Sequence, residues 1–180
     1  MKKLLASALS AAMLLSLLAG CGGGGGGTST PKTDGSGSQA ASSTPAGDNV
    51  IKIGVFEPTS GDSASGGKKE MLGMQFANSE TPTVEVGGTT YTVQLVPADN
   101  GSSTDKAPSA ASDLVSKGVS LVLGSYGSGV SMAASDTFKE AGIAAMGVTC
   151  TNPNVTAGND HYFRICFLDN FQAQVLANFA

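Results

Sequence analysis

The apolar and polar positions change rhythm several times along the chain. From Val50 the segment VIKIGVF alternates around β-branched residues, which predicts a strand that runs out into the polar turn EPTSGDSASGG. Over 68–79, KKEMLGMQFANS sets Met71, Leu72, Gln75, Phe76 and Ser79 three and four positions apart, which predicts a first helix. TVEVGGTTYTVQLVPAD then carries alternating segments on either side of Gly87-Gly88, the pattern of paired strands around a tight turn.

A second cycle follows. The loop NGSSTDKAP opens a helix near Ser109 whose apolar positions Ala110, Ala111, Leu114 and Val115 share one face and which stops at Gly118. VSLVLG is a continuous apolar run, as expected for a parallel strand covered on both faces. A third helix is predicted over 130–141, ending at Gly142, and IAAMGV reads as another buried strand. HYFRICF alternates as a last strand, with Cys166 inside it, and DNFQAQVLANFA begins a helix with Asp169 as its N-cap.

Strands alternating with helices of about a dozen residues predict βαβ units, an α/β fold with an open, mostly parallel sheet and helices on both faces. Such sheets bind ligands at the carboxyl ends of their strands. Three of those ends are polar or glycine-rich: the loop after Phe56, the loop after Leu123, and TCTNPNVT after Val148. They are expected to converge on one edge.

The residues before Val50 follow other rules. Lys2 and Lys3 lead into an apolar run over 4–19 that ends in small residues, so 1–20 is read as a secretory signal. Its exit, LLAGC, resembles the cleavage box of bacterial lipoproteins, in which the thiol of Cys21 carries the diacylglycerol. Stable anchoring takes more than one acyl chain. Residues 21–48, rich in Gly, Ser, Thr and Pro, read as a flexible tether, which leaves 49–180 as the folded, ligand-binding lobe.

With 41% hydrophobic and 13% charged residues, the chain is ordinary for a globular α/β protein but poor in charge. A net charge of −4, more negative still once Lys2 and Lys3 are removed, leaves no basic stripe for nucleic acid. Beyond Cys21, only Cys150 and Cys166 remain. Outside the cytoplasm such a pair can form a disulfide, but one in a loop and one in a strand give no geometric reason for it, and two free, largely buried thiols are expected.

The candidate chemistry centres on LGSYGSGVSMAASDTF over 123–138, a glycine-rich turn between a strand and a helix. A dinucleotide loop needs Gly-x-Gly-x-x-Gly, and after Gly127 and Gly129 the third place holds Met132. A P-loop needs a lysine where this chain has Val130, and an isopropyl group cannot neutralise phosphates. What remains is a helix start where backbone N–H groups and the hydroxyls of Ser125, Ser128 and Ser131 meet, a place that suits one carboxylate. VTCTNP adds the hydroxyls of Thr149 and Thr151 and backbone carbonyls able to accept from an ammonium group. Together the two loops are able to hold both charged ends of a free α-amino acid.

Other chemistry finds little support. His161, the only histidine, has no partners at metal-ligand spacing and reads as a surface residue entering a strand. Ser128 follows a strand and precedes a helix, but no Gly-x-Ser-x-Gly elbow surrounds it, so a hydrolase is disfavoured and no enzyme is expected. The sequence calls for no cofactor.

The segments IKIGVFEPTSGDSASGG, LVSKGVSLVLGSYGSG, ASDTFKEAGIAAMGVTCTNP and YFRICFLDNFQAQVLANFA carry a family likeness. Over 50–180 the chain resembles the extracytoplasmic solute-binding proteins of branched-chain amino-acid ABC transporters, the leucine/isoleucine/valine-binding group of type I periplasmic binding proteins. The resemblance implies two α/β lobes that close over a ligand, with this chain carrying the first. It implies a free amino acid as ligand, ABC permease subunits as partners, and a site outside the cytoplasm on the bacterial membrane.

Carried over residue by residue, the resemblance makes Ser128 the ligand for the carboxylate through its hydroxyl and N–H. Thr151 contacts ammonium and carboxylate, and Thr149 offers its carbonyl to the ammonium. Gly127 stands where some members have a disulfide cysteine. Gly66 stands where leucine-binding members place an aromatic residue, which removes a wall of the pocket and puts the branched-chain preference in question. A sensory domain binding an amide, urea or aromatic acid without transport is the alternative the same fold allows.

Overall fold

The structure, a computed structural model, describes residues 49–180. The signal segment, the tether and Cys21 lie outside the described residues. Among the described residues, no helix is long and apolar enough to cross a membrane.

Strand β1 (Val50–Glu57) leads to helix α1 (Ala64–Glu80) and then to the hairpin β2 (Thr83–Val86) and β3 (Thr89–Asp99). Helix α2 (Ala107–Ser116), β4 (Leu121–Leu123), α3 (Ser128–Glu140) and β5 (Ala144–Gly147) follow. A 3-10 turn (Pro153–Val155), β6 (Tyr162–Arg164) and α4 (Asp169–Phe179) complete the order. The six strands form one sheet in the order β2-β3-β1-β4-β5-β6, parallel throughout except for the β2–β3 pair. Gly87 and Gly88 both take positive φ in the two-residue hairpin turn, a backbone that glycine adopts without strain.

The predicted elements all form, and several boundaries move. α1 starts at Ala64, inside the segment expected to be loop, and α2 starts at Ala107 because Pro108 is harmless in a first turn, where its missing N–H has no partner to lose. The last strand keeps only Tyr162–Arg164, so Cys166 lies beyond it. Asp169 is not the cap of α4: Leu168 takes that place, and Asp169 sits in the first turn with its N–H donated to the Thr151 carbonyl at 3.0 Å.

The spacing that predicts α1 does not say which way the helix faces. Leu72 and Phe76 are 61% and 67% exposed, and Gly67 is the helix's buried residue. Gly67 lies so close to Pro58 that a Cβ there would stand 2.3 Å from the Pro58 carbonyl oxygen. This contact sets the rotation of the helix: at about 100° per residue, Phe76 falls roughly opposite Gly67, while Glu70, Met71 and Met74 turn toward the sheet.

The two internal glycines of α1 therefore respond in opposite ways to alanine. Gly73 has open space around it, and Gly73→Ala is expected to raise stability by about 0.5–1 kcal/mol. Gly67→Ala is expected to lower it by about 1–3 kcal/mol, because a backbone oxygen cannot swing aside as a side chain does. Urea denaturation midpoints of the two variants check both signs.

The core occupies the side of the sheet covered by α2 and α3. Phe56, Leu114, Val122 and Phe138 are fully buried there, with Ala107, Ala111 and Ala134 letting the helices approach the strands closely. Phe56 and Phe138 meet edge to face with ring centroids 5.5 Å apart. Val130, in the place where a P-loop has its lysine, belongs to this core, so the apolar residue serves packing.

Candidate functional site

The strand order places the first strand between two that follow it in opposite directions across the sheet. From β1 the chain passes through α1 to β3 on one side, and from β4 it passes through α3 to β5 on the other. With right-handed crossovers, the two connections leave toward opposite faces, and a crevice opens between the carboxyl ends of β1 and β4.

A cleft of about 480 Å³ lies at that edge, within the range of small-molecule sites. Asp62, Ser63, Ser65 and Gly66 line it from the start of α1, and Lys69 and Glu70 from the next turn. Tyr126 enters from the β4–α3 loop and Thr149 from the loop after β5. The three strand-end loops converge as the sequence predicts.

The predicted residues divide between the cleft and its support. Gly66 and Thr149 line the cleft. Gly127 takes a φ of 126°, caps α3, and accepts from the Ser131 N–H and hydroxyl. Ser128 is the first residue of α3; its Oγ accepts the Asn152 N–H at 3.2 Å, which leaves its own hydrogen free to donate. Thr151 stands half-buried beside that contact, its carbonyl engaged by Asp169.

Two expectations about hydroxyls change. Ser125 and Ser131 are fully buried and committed to the loop: Asn100 donates to Ser125 Oγ at 2.9 Å, and Ser131 donates to the Gly127 carbonyl at 3.2 Å. Of the three serines expected to meet at the helix start, only Ser128 is not fully buried and so has a hydroxyl that a ligand can reach. The Thr149 hydroxyl donates to Glu70 Oε1.

The wall expected to be missing at Gly66 is present from the other side. A Cβ at Gly66 would stand 2.5–2.6 Å from the ring carbons of Tyr126, so the phenol ring, 40% exposed, occupies the space that a side chain at 66 would take.

Two functional candidates escaped the sequence reading. Glu57, at the end of β1, is 1% exposed, and its Oε2 accepts the Tyr126 N–H at 2.8 Å. Burial, then a hydrogen bond and charge repulsion from Glu70, push its carboxyl up to about 9 despite the opposing Tyr126 N–H. It is protonated at neutral pH. A glutamate ending an otherwise apolar strand was the available signal, but nothing in the sequence paired it with Glu70.

The surrounding shell fixes the loops. Partial burial works to raise the Asp99 carboxyl, but hydrogen bonds from the Ser60 hydroxyl and the N–H groups of Thr59 and Gly101 outweigh it and hold it below the usual carboxylate range. Asn100 donates to the Phe56 carbonyl at 3.3 Å, and buried Tyr162 donates to the Gly124 carbonyl at 2.8 Å. Arg164 donates to the carbonyls of Cys150, Asn152 and Pro153 and to Thr156 Oγ1, spanning the loop after β5.

The remaining candidates take supporting places. His161 precedes β6 half-buried, its Nδ1 2.9 Å from Asp160. Cys150 and Cys166 are both free; Cys150 is buried, which pushes its thiol up, and Cys166 is half-buried. Among the described residues, no group of three or more His, Cys, Asp or Glu side chains is arranged to hold a metal ion.

Comparison with known proteins places the chain among its relatives. The profile of the periplasmic binding protein family matches residues 50–180. A Leu/Ile/Val-binding protein homolog of Brucella melitensis is 33% identical over 130 residues, covering 72% of this chain and 35% of that protein. The crystal structure of a leucine-binding protein from Thermotoga maritima superposes with a TM-score of 0.67 at 33% identity, covering 73% of this chain and 37% of that one. A branched-chain amino-acid substrate-binding protein of Streptococcus pneumoniae, in complex with isoleucine, gives 0.65 at 30% identity, with 72% and 37% covered. The chain spans about a third of the length of the relatives it matches, and its sheet and helices are those of one lobe of the type I fold. The chain belongs to the periplasmic binding protein family, a family of extracytoplasmic solute-binding proteins.

Proposed function

We propose that the full-length protein is a lipid-anchored receptor outside the cytoplasm, tethered through Cys21, that captures a free α-amino acid and delivers it to the permease subunits of an ABC transporter. The observation that carries this reading is the meeting of Ser128 and the loop after β5. Ser128 Oγ accepts from Asn152 and keeps its hydrogen for a carboxylate, next to the uncapped N–H groups at the start of α3. In this reading the Thr149 carbonyl accepts from the ammonium group and Thr151 contacts both charged ends. The names of the relatives put leucine, isoleucine and valine first among the ligands to test.

Calorimetric titration of the full-length protein with α-amino acids tests the reading. Heat is expected from at least one of them, and Ser128→Ala is expected to weaken that ligand by roughly 10- to 100-fold, the loss of one charge-assisted hydrogen bond. Absence of heat from every α-amino acid sinks the proposal. For the anchor, metabolic labelling with a fatty acid is expected to mark the wild type and not Cys21→Ser.

A further inference from the structure

We propose that Glu70 is the residue of this lobe that selects the ligand's side chain, and that it takes one bearing an N–H donor, cationic or amide, in preference to a hydrocarbon. The inference deepens the amino-acid reading above and rests on it.

The argument starts from two buried oxygens. Glu57 Oε1 and Glu70 Oε2 are both shut off from solvent, and neither receives a hydrogen bond from any described residue. The two carboxyl groups are hydrogen-bond neighbours, and Glu57 carries a proton. One proton between the two oxygens removes both vacancies with a single bond, as like carboxyl groups in contact share one rather than both ionise. Glu57 Oε2 is already committed to the Tyr126 N–H, and Glu70 Oε1 accepts from the Thr149 hydroxyl.

The pair is thus held from three sides with a net charge of −1. Among the described residues, no ion pair reaches either carboxyl; the salt bridges present lie at Lys117–Asp113 and around Asp160. A partly buried carboxylate to which no cation is bonded leaves an electrostatic demand that a ligand can meet. Glu70 lies on the wall of the cleft, and the cleft opens onto it.

The rest of the lining points the same way. Asp62, Ser63, Ser65 and Thr149 are polar, Gly66 offers no side chain, and the only apolar body is the Tyr126 ring; Lys69 brings one cation to the wall, unpaired with Glu70, against the two acids Asp62 and Glu70. A leucine side chain placed here would displace water from a carboxylate and hydroxyls without replacing their hydrogen bonds. An ammonium, guanidinium or carboxamide group replaces them.

Calorimetry on the full-length protein with leucine, glutamine, lysine and arginine, and with agmatine, an amine lacking the α-carboxylate, tests the inference. The wild type is expected to bind one of the polar or cationic amino acids at least 10-fold more tightly than leucine. Glu70→Gln, which keeps the shape and the oxygen facing Thr149, is expected to cut the affinity for cationic ligands at least 10-fold and to leave leucine within about 2-fold. A variant that weakens all ligands alike, with an unchanged circular dichroism spectrum, would show that Glu70 only braces the loop and overturns the inference. Tightest binding of leucine by the wild type overturns it while the amino-acid reading stands. Glu70-dependent binding of agmatine with silence from every amino acid upholds the cation-selecting carboxylate and removes the amino-acid reading; silence from all five compounds overturns the inference, and the amino-acid reading falls with it only if every other α-amino acid is silent too.

Discussion

Raising the pH from about 5 to 9 is expected to destabilise the folded chain by up to about 1.4 kcal/mol per pH unit, the slope of one proton. Glu57 is the cause. In the unfolded chain its carboxyl ionises near 4.5, and in the fold it keeps the proton up to about 9. Between those values the folded state binds one proton more, so its advantage is full below the lower value and is lost as the pH rises through the window. Facing Glu57 are the Glu70 carboxyl from α1, the Tyr126 N–H from the β4–α3 loop and the Tyr162 phenol from β6. None is a cation that would draw the proton off earlier.

Asp99 acts with the opposite sign. Its carboxyl is held low, so its contribution is present above the unfolded value and fades only in acid. Because Asp99 is exposed, solvent keeps that contribution small. The test is a series of urea midpoints at pH 6, 7, 8 and 9, where the wild type is expected to fall steadily. Glu57→Gln, neutral at every pH and able to donate its amide to Glu70, is expected to flatten the series and to exceed the wild type at pH 9. A flat wild-type series would remove the shared proton.

Removing the ring of Phe138 has the other large expected effect. Phe138→Ala deletes a fully buried side chain from the centre of the α2–α3 face, at a cost of about 3–5 kcal/mol. In a domain of this size that lowers the Tm by on the order of 10–20 °C, readable in a thermal melt. Its partner in the edge-to-face contact is Phe56, the residue before Glu57, whose carbonyl accepts from Asn100. The cavity therefore opens against the strand end that carries Glu57, and ligand affinity is expected to fall along with stability. Phe138→Leu, which refills most of the volume, is expected to recover more than half of both losses.

The fold was legible because its signals are local. Val50–Glu57, the Gly87-Gly88 turn and the apolar run before Leu123 each report their structure through immediate neighbours. The convergence of three loops followed from βαβ logic alone. The facing of α1 was not legible, because a backbone contact at Gly67 decides it and leaves Leu72 and Phe76 exposed.

That same contact hid the carboxyl pair. Glu70 stands one turn after Gly67, so the rotation that exposes Phe76 is the rotation that brings Glu70 to Glu57. The serines show the converse: Ser125, Ser128 and Ser131 look equivalent in sequence, and only burial separates two structural hydroxyls from one that a ligand can reach. Similarly, Gly66 reads as a gap until the ring of Tyr126 is seen to fill it.

The four hydrogen bonds of Arg164 fix the loop after β5 while the chain folds, before any ligand arrives. Ordering a free loop on binding costs about 1–2 kcal/mol for each residue's backbone, and here that ordering belongs to folding. Capture by this lobe then needs no search by that loop. Ligands that differ in affinity should arrive at similar rates and part company in how long they stay.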